Sequence, residues 1–91
     1  MRGMSATVRL AKARFEEAVA ILRKVARDNP TSSAARYNVF ISLFNLGVFT
    51  SNRPLVAEAL EIARELERAG DLAPNDLQFY EKTAKAAESI P

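Results

Sequence analysis

The feature that most constrains this chain is the run from Arg14 to Gly47, in which an Asn-Pro pair and a group of hydroxyl residues separate two apolar segments. In the first segment apolar residues recur every three or four positions, the spacing that aligns them along one side of an α-helix. Asn29-Pro30 ends this segment, because a residue that precedes proline is driven out of the helical conformation. The run therefore predicts consecutive helices joined by short turns.

The same signals, followed along the chain, predict an all-α fold and a single domain over residues 1–91. We expect four helices, over residues 5–28, 33–47, 54–69 and 75–89, or five if the long first helix breaks near residues 12–14. The apolar stripe of the first helix comprises Val8, Ala11, Phe15, Ala18, Leu22 and Val25, with Val19 and Ile21 widening it. The second helix is apolar nearly all round, which is typical of a helix packed between neighbours.

Helix ends are predicted from capping chemistry. Ser5 can cap the first helix, and a Thr-Ser-Ser group precedes the second. Gly47 and Gly70 are expected to close the second and third helices, because glycine readily adopts the left-handed conformation. The second helix would then be followed by an irregular link over residues 48–53. Asn75, with Gln three residues later, resembles a capping box for the fourth helix.

The chain has no cysteine and no histidine. These absences remove disulfides, thiolate nucleophiles, the commonest metal ligand and the commonest general base near neutral pH. We therefore expect no catalytic residues, no metal and no cofactor, and a protein that is not an enzyme. Tyr80 and Glu81 near Lys85 form the densest group for an enzyme hypothesis, and that group is better explained as a helix surface.

Charge is unevenly distributed. Residues 1–36 carry eight basic and three acidic side chains, a net +5, whereas residues 37–91 carry a net −3. The simplest interpretation is a set of solvated helix faces. A sharper one is a dipolar molecule whose basic half meets the acidic half of a neighbour. An alternative function is nucleic-acid binding by the basic first helix, which is disfavoured because no aromatic residues or phosphate-binding loop accompany the charges.

No segment approaches the roughly 20 apolar residues of a membrane span, and no signal-peptide pattern follows the first methionine. The expected location is the cytoplasm, without a membrane partner.

Residues 15–47 resemble the tetratricopeptide repeat family, in which paired helices recur every 34 residues. The segment before Pro30 resembles the second helix of one repeat, and the segment after it resembles the first helix of the next. Looser matches extend over residues 14–90. The matching positions are Phe15-Glu16-Glu17-Ala18, Leu22, Val25 and Pro30, then Tyr37-Asn38-Val39-Phe40, Leu43, Leu46 and Gly47. Phe40 departs from the pattern, since the family prefers a small residue there. Either the two helices are spread, or Phe40 fills a gap beside Ala59 or Ala63.

The resemblance implies four to five antiparallel helices in a right-handed superhelical stack, similar to the C-terminal end of a bacterial tetratricopeptide array. It also implies a protein–protein interaction module or assembly scaffold. A stack usually needs about three repeats, and the chain supplies about two. We therefore expect it to self-associate or to cap a larger helical array. A second alternative is an accessory subunit of an enzyme complex.

The family binds peptides or helices on a concave face formed by the first helix of each pair. By resemblance, that face would comprise Tyr37, Asn38, Ile41, Phe44, Asn45, Gln78, Glu81 and Lys85. The competing interpretation assigns Tyr37, Ile41 and Phe44 to the core beneath the long first helix, because apolar stripes are usually core.

Overall fold

The structure, a computed structural model, describes residues 6–89, which form helices joined by short turns. The helices are α1 (Ala6–Asp28), α2 (Ser33–Thr50), α3 (Arg53–Arg68) and α4 (Leu77–Ser89), and a 3₁₀ turn, Pro74–Asp76, precedes α4. Within residues 6–89 there is no strand, which confirms the all-α fold class. The predicted cap at Ser5 lies outside the described residues.

The α1–α2 turn follows the sequence signals. The Asn29 side chain donates to the carbonyl of Val25 at 2.8 Å, and α1 has ended before Pro30. Ser32 then caps α2, because its hydroxyl oxygen accepts a hydrogen bond from the backbone N–H of Ala35 at 3.1 Å. This bond satisfies one of the N–H groups that every helix start leaves without an intrahelical partner.

The predicted end of α2 at Gly47 is wrong, because the helix continues to Thr50. Ser51 adopts the left-handed conformation in place of a glycine, with φ 51°. Asn52 donates its backbone N–H to the carbonyl of Gly47 at 2.8 Å, and its side chain accepts from the N–H of Leu55 at 3.3 Å. The expected irregular link over residues 48–53 is thus reduced to Ser51 and Asn52, which end one helix and cap the next.

Gly70 ends α3 as predicted, with φ +75°. The N–H groups of Gly70 and Asp71 bond the carbonyls of Glu67 and Leu66, both at 2.9 Å. This is the paired-bond arrangement of the Schellman motif.

The start of the fourth helix differs from the prediction based on Asn75. The chain turns first through the 3₁₀ segment, whose N-cap residue is Ala73, and the carboxylate of Asp76 accepts from the backbone N–H of Ala73 at 3.1 Å. The prediction favours asparagine because its amide can accept a hydrogen bond. The adjacent aspartate bonds the N–H of Ala73 instead and carries a full negative charge, which is favourable at a helix N-terminus.

The core lies between α2 and α3, with α1 packed on α2 and α4 packed on α3. Its central cluster contains Val19, Val39, Phe40, Leu43, Leu46, Ala59 and Ala63. Phe40, Ala59 and Ala63 are all completely buried. The two alanines of α3 therefore leave room for Phe40, which is the second of the two arrangements expected for this bulky residue.

The packed face of α1 is rotated from the predicted stripe. Phe15, Val19, Leu22 and Ala26 face the core cluster, and within residues 6–28 only Val19 is buried. Ile21 is 57% exposed and Val25 is 42% exposed, so their predicted places in the inward stripe are wrong. Since α1 packs mainly on α2, a single row of side chains is enough to dock it, and the apolar residues to one side of that row stay open to solvent.

Candidate binding groove

A groove of about 570 Å³ lies over α2, between α1 on one side and α4 on the other. Its floor is formed by one face of α2, from which five side chains contribute. Three residues of α1 and one of α4 form the walls. The lining residues are Phe15, Ala18, Leu22, Tyr37, Asn38, Ile41, Ser42, Asn45 and Phe79. Most of these side chains are apolar, which is usual for sites that bind ligands or peptide segments.

Two amides supply accessible hydrogen-bonding groups on the groove floor. Asn38 and Asn45 are both exposed, and within residues 6–89 neither side chain has a hydrogen-bond partner. They lie seven residues apart on α2, which corresponds to about 10.5 Å along a helix. Each amide offers both a donor and an acceptor. The floor can therefore bond a polar backbone that runs along α2.

Tyr37 closes one end of the groove. Its hydroxyl donates to Oδ1 of Asp76 at 2.9 Å, which ties α2 to the turn before α4. Its ring meets that of Phe40 edge-on, with centroids 5.8 Å apart. Burial raises the pKa of Tyr37, and the hydrogen bond to Asp76 and the negative charge of Asp76 raise it further. The phenol therefore stays neutral to a higher pH than an ordinary tyrosine, and its hydrogen bond ties the groove floor to the turn before α4.

Phe79 provides the α4 wall and is 40% exposed. The ammonium group of Lys82 lies 5.5 Å from the centroid of its ring, within the range of a cation–π contact. This contact holds a positive charge beside the groove. The rim is consequently suited to a segment that carries an acidic side chain next to its apolar ones.

Four of the eight predicted site residues line the groove, namely Tyr37, Asn38, Ile41 and Asn45. Phe44 is half-buried and packs against the core cluster. Gln78 and Lys85 are exposed on α4 outside the groove lining, and Glu81 lines a separate cleft. The resemblance predicts that Gln78, Glu81 and Lys85 of α4 lie on the concave face. In the structure, the residue of α4 that lines the groove is Phe79.

The sequence prediction does not include the wall residues Phe15, Ala18, Leu22 and Phe79, or Ser42 on the floor. The first three belong to the predicted core stripe of α1, and Phe15 and Leu22 also pack against the core cluster. Their spacing indicates which way they face but cannot show that α2 and α4 leave space beside them. Phe79 carries a usable signal, because it is a large aromatic residue beside the predicted α4 stripe rather than in it.

A second cleft, of about 310 Å³, lies between the end of α3 and the start of α4. Its lining residues are Glu67, Leu77, Tyr80, Glu81 and Ala84. It includes Tyr80 and Glu81 from the enzyme hypothesis and excludes Lys85, so the three groups do not converge on one cavity.

Within residues 6–89, no group of three or more His, Cys, Asp or Glu side chains is arranged to hold a metal ion. Across the same residues, no helix combines the length and apolar character needed to cross a membrane.

No protein-family model, curated protein or solved structure matches this chain.

Proposed function

We propose that this chain is a non-enzymatic protein–protein interaction module, with its helices stacked as antiparallel pairs in the tetratricopeptide manner. The observation that carries the proposal is the apolar groove over α2 with two unpartnered amides on its floor. The short Ser51-Asn52 connection, which caps helices on both sides, supports the pairing of α2 with α3. The residue pattern around Pro30 supports the stacking of α1 on α2.

The groove suits an extended peptide segment of a partner better than a helix. The backbone groups of a helix are already bonded to one another, whereas an extended segment presents free N–H and C=O groups. Asn38 and Asn45 would bond that backbone while apolar side chains enter between Phe15, Leu22 and Phe79. Lys82 at the rim favours an acidic residue within the segment.

The alternative of nucleic-acid binding by α1 receives less support. Arg23 forms an ion pair with Glu58 at 2.9 Å, and Lys24 pairs with Asp28 at 2.8 Å. Two of the cations that this function would use are thus partly neutralised. Nucleic-acid binding would lose affinity steeply with salt and would weaken when Arg23 and Arg27 are both replaced by alanine. Peptide binding in the groove would be insensitive to that double substitution.

The test is affinity capture from a cell extract with wild-type protein, the groove variant Asn45→Arg and the control variant Gln78→Arg. Both substitutions replace an exposed amide by arginine, but only Asn45 lines the groove. A partner that uses the groove is retained by the wild type and by Gln78→Arg, and lost by Asn45→Arg. If every specifically captured protein binds Asn45→Arg as well as the wild type, the groove is not the binding site.

A further inference from the structure

The first helix has an outward face that neither the core nor the groove uses. Leu10, Arg14, Ile21 and Val25 follow one another at intervals of four, seven and four, the spacing of a helical stripe. Leu10 is 55% exposed and Ile21 57% exposed. Within residues 6–89, no other helix covers this stripe. We call these four residues the α1 outer face.

The opposite end of the molecule carries a surface of complementary character. The cleft between α3 and α4 has an apolar floor of Leu77, Tyr80 and Ala84, with Glu67 and Glu81 beside it. We call these five residues the acidic cleft. Within residues 6–89, no ion pair engages Arg14, Glu67 or Glu81. Both surfaces therefore combine uncovered apolar side chains with charged groups that form no ion pair in the described part of the chain. Glu17 lies beside Arg14 on α1, so the difference in sign between the two ends comes from the wider charge distribution.

The net charges of the two ends of the molecule have opposite signs. Helix α1 carries six basic and three acidic side chains, a net +3, whereas residues 58–89 carry four basic and eight acidic ones, a net −4. Complementary fields of this kind accelerate encounter and fix orientation. They also disfavour contact between two copies of the same end. The occupant that matches the acidic cleft in apolar character and in the net charge of its helix is thus the α1 outer face of the same chain.

We propose that a second copy of this chain binds with its α1 outer face in the acidic cleft, so that copies associate head to tail. Arg14 of one copy meets Glu67 or Glu81 of the next, and Ile21 packs toward Leu77 and Tyr80. Because the two contacting surfaces differ, each copy retains one unused surface of each kind, and the association continues beyond a dimer. The contact uses none of the groove-lining residues, so it leaves the groove open. It can therefore be tested independently of the proposed function.

The test uses two variants that each block one surface. Ile21→Glu places a negative charge on the α1 outer face, and the double variant Glu67→Lys, Glu81→Lys reverses the charge of the acidic cleft. All three positions are exposed, so the fold should persist, which circular dichroism and the thermal midpoint verify. Ala20→Glu is the matched control, because it introduces the same charge at the neighbouring exposed position of α1, outside the outer face.

Sedimentation velocity at low salt gives the readout. The mean mass of wild-type protein and of Ala20→Glu should rise past that of a dimer with concentration. Each blocked variant alone should weaken association by at least about tenfold, which is the scale of losing one central contact. An equimolar mixture of the two blocked variants should form a dimer that grows no further, because only one productive contact remains.

Three results would overturn the proposal. Wild-type protein that stays monomeric at the highest concentration would exclude self-association. Either blocked variant associating as strongly as wild type would show that its surface is not in the contact. A mixture of blocked variants that fails to pair would show that the two surfaces do not bind each other. The Asn45→Arg groove variant should assemble like the wild type, which separates this proposal from the proposed function.

Discussion

A Cβ atom on Gly47 would lie 2.6 Å from Cγ2 of Val56 and 3.0 Å from the backbone nitrogen of Val56. The backbone of α2 therefore approaches the first turn of α3 more closely than any side chain on Gly47 would allow. The glycine is inside the helix, three residues before its last residue. Its role is close approach between two helices, and the left-handed turn that usually calls for glycine is formed by Ser51.

Gly47→Ala should destabilise the protein, although alanine is the better helix former. The gain in helix propensity is about 1 kcal/mol. Forcing a methyl group against a packed neighbour typically costs about 1–3 kcal/mol, and here one of the close atoms belongs to the backbone and cannot rotate away. Because that atom cannot move, the cost should lie in the upper half of this range, so we expect a net loss of about 1–2 kcal/mol, measured by urea unfolding. In the double variant with Val56→Ala, the loss of stability should be smaller than the sum of the two single losses, because the clashing methyl group is removed. A Gly47→Ala variant as stable as wild type would contradict the close approach.

Ser51→Gly should stabilise the protein by about 0.5–1 kcal/mol, because the left-handed conformation is costly for a residue with a Cβ. Ala57→Gly is the control, since it places glycine at an exposed position inside α3, where it should cost about 1 kcal/mol. Thermal unfolding of the two variants should shift the midpoint in opposite directions. If both variants lose stability, the backbone at Ser51 is not strained.

Phe40→Ala should destabilise by about 3–5 kcal/mol, the usual range for a buried phenylalanine. Phe44→Ala should cost less, about 2 kcal/mol, because its ring is half-buried at the edge of the same cluster. Chemical denaturation measures both, and binding of a groove partner should follow the folded fraction. If Phe44→Ala abolishes binding at unchanged stability, Phe44 belongs to the binding face.

Tyr37 should titrate above its ordinary pKa of 10.0, because burial and Asp76 both favour the neutral phenol. A raised pKa in the folded state means that the folded protein holds the proton more tightly than the unfolded chain does. Stability from this group is then complete below about pH 10 and falls as the pH rises from there through the folded pKa. Ultraviolet absorbance in a Tyr80→Phe background isolates Tyr37, because the chain has two tyrosines.

Replacing Asp76 by asparagine provides the comparison for this titration. The amide can still accept a hydrogen bond but carries no charge, so the pKa of Tyr37 should fall while staying raised by burial. A Tyr37 that titrates at its ordinary value in the wild-type background would show that the phenol is solvated and unbonded.

The helices were predictable because their signals are local. Pro30, Ser32 and Gly70 act through their own backbone conformation or through a hydrogen bond to a nearby residue. The role of Gly47 could not be predicted from the sequence, because glycine can either end a helix in the left-handed conformation or let two helices approach closely. Only the position of Val56 in the folded structure distinguishes the two roles. The continuation of α2 through Phe49 is supported by a contact with a distant part of the chain. The ring of Phe49 packs against that of Phe15, with centroids 5.4 Å apart.

The groove was half predictable for a related reason. Positions on one face of α2, such as Asn38 and Asn45, share an environment whatever the other helices do. The walls depend on the rotation of α1 and α4 about their own axes, which brings Phe15 and Phe79 to opposite sides of α2. No local pattern specifies that rotation, so only the packed structure shows these residues together.

The connection at Asn52 has a consequence for how the molecule opens. Asn52 bonds both the end of α2 and the start of α3, and most of the buried side chains lie on these two helices. Amide hydrogens of α2 and α3 should therefore exchange with solvent most slowly, whereas those of α1 and α4 should exchange through partial unfolding that leaves the centre intact. Equal protection in all four helices would show a single cooperative unit. If α1 and α4 exchange faster, the surfaces proposed to join successive copies lie largely on the two helices that unfold most readily. Assembly would then slow amide exchange in α1 and α4 before it affects α2 and α3.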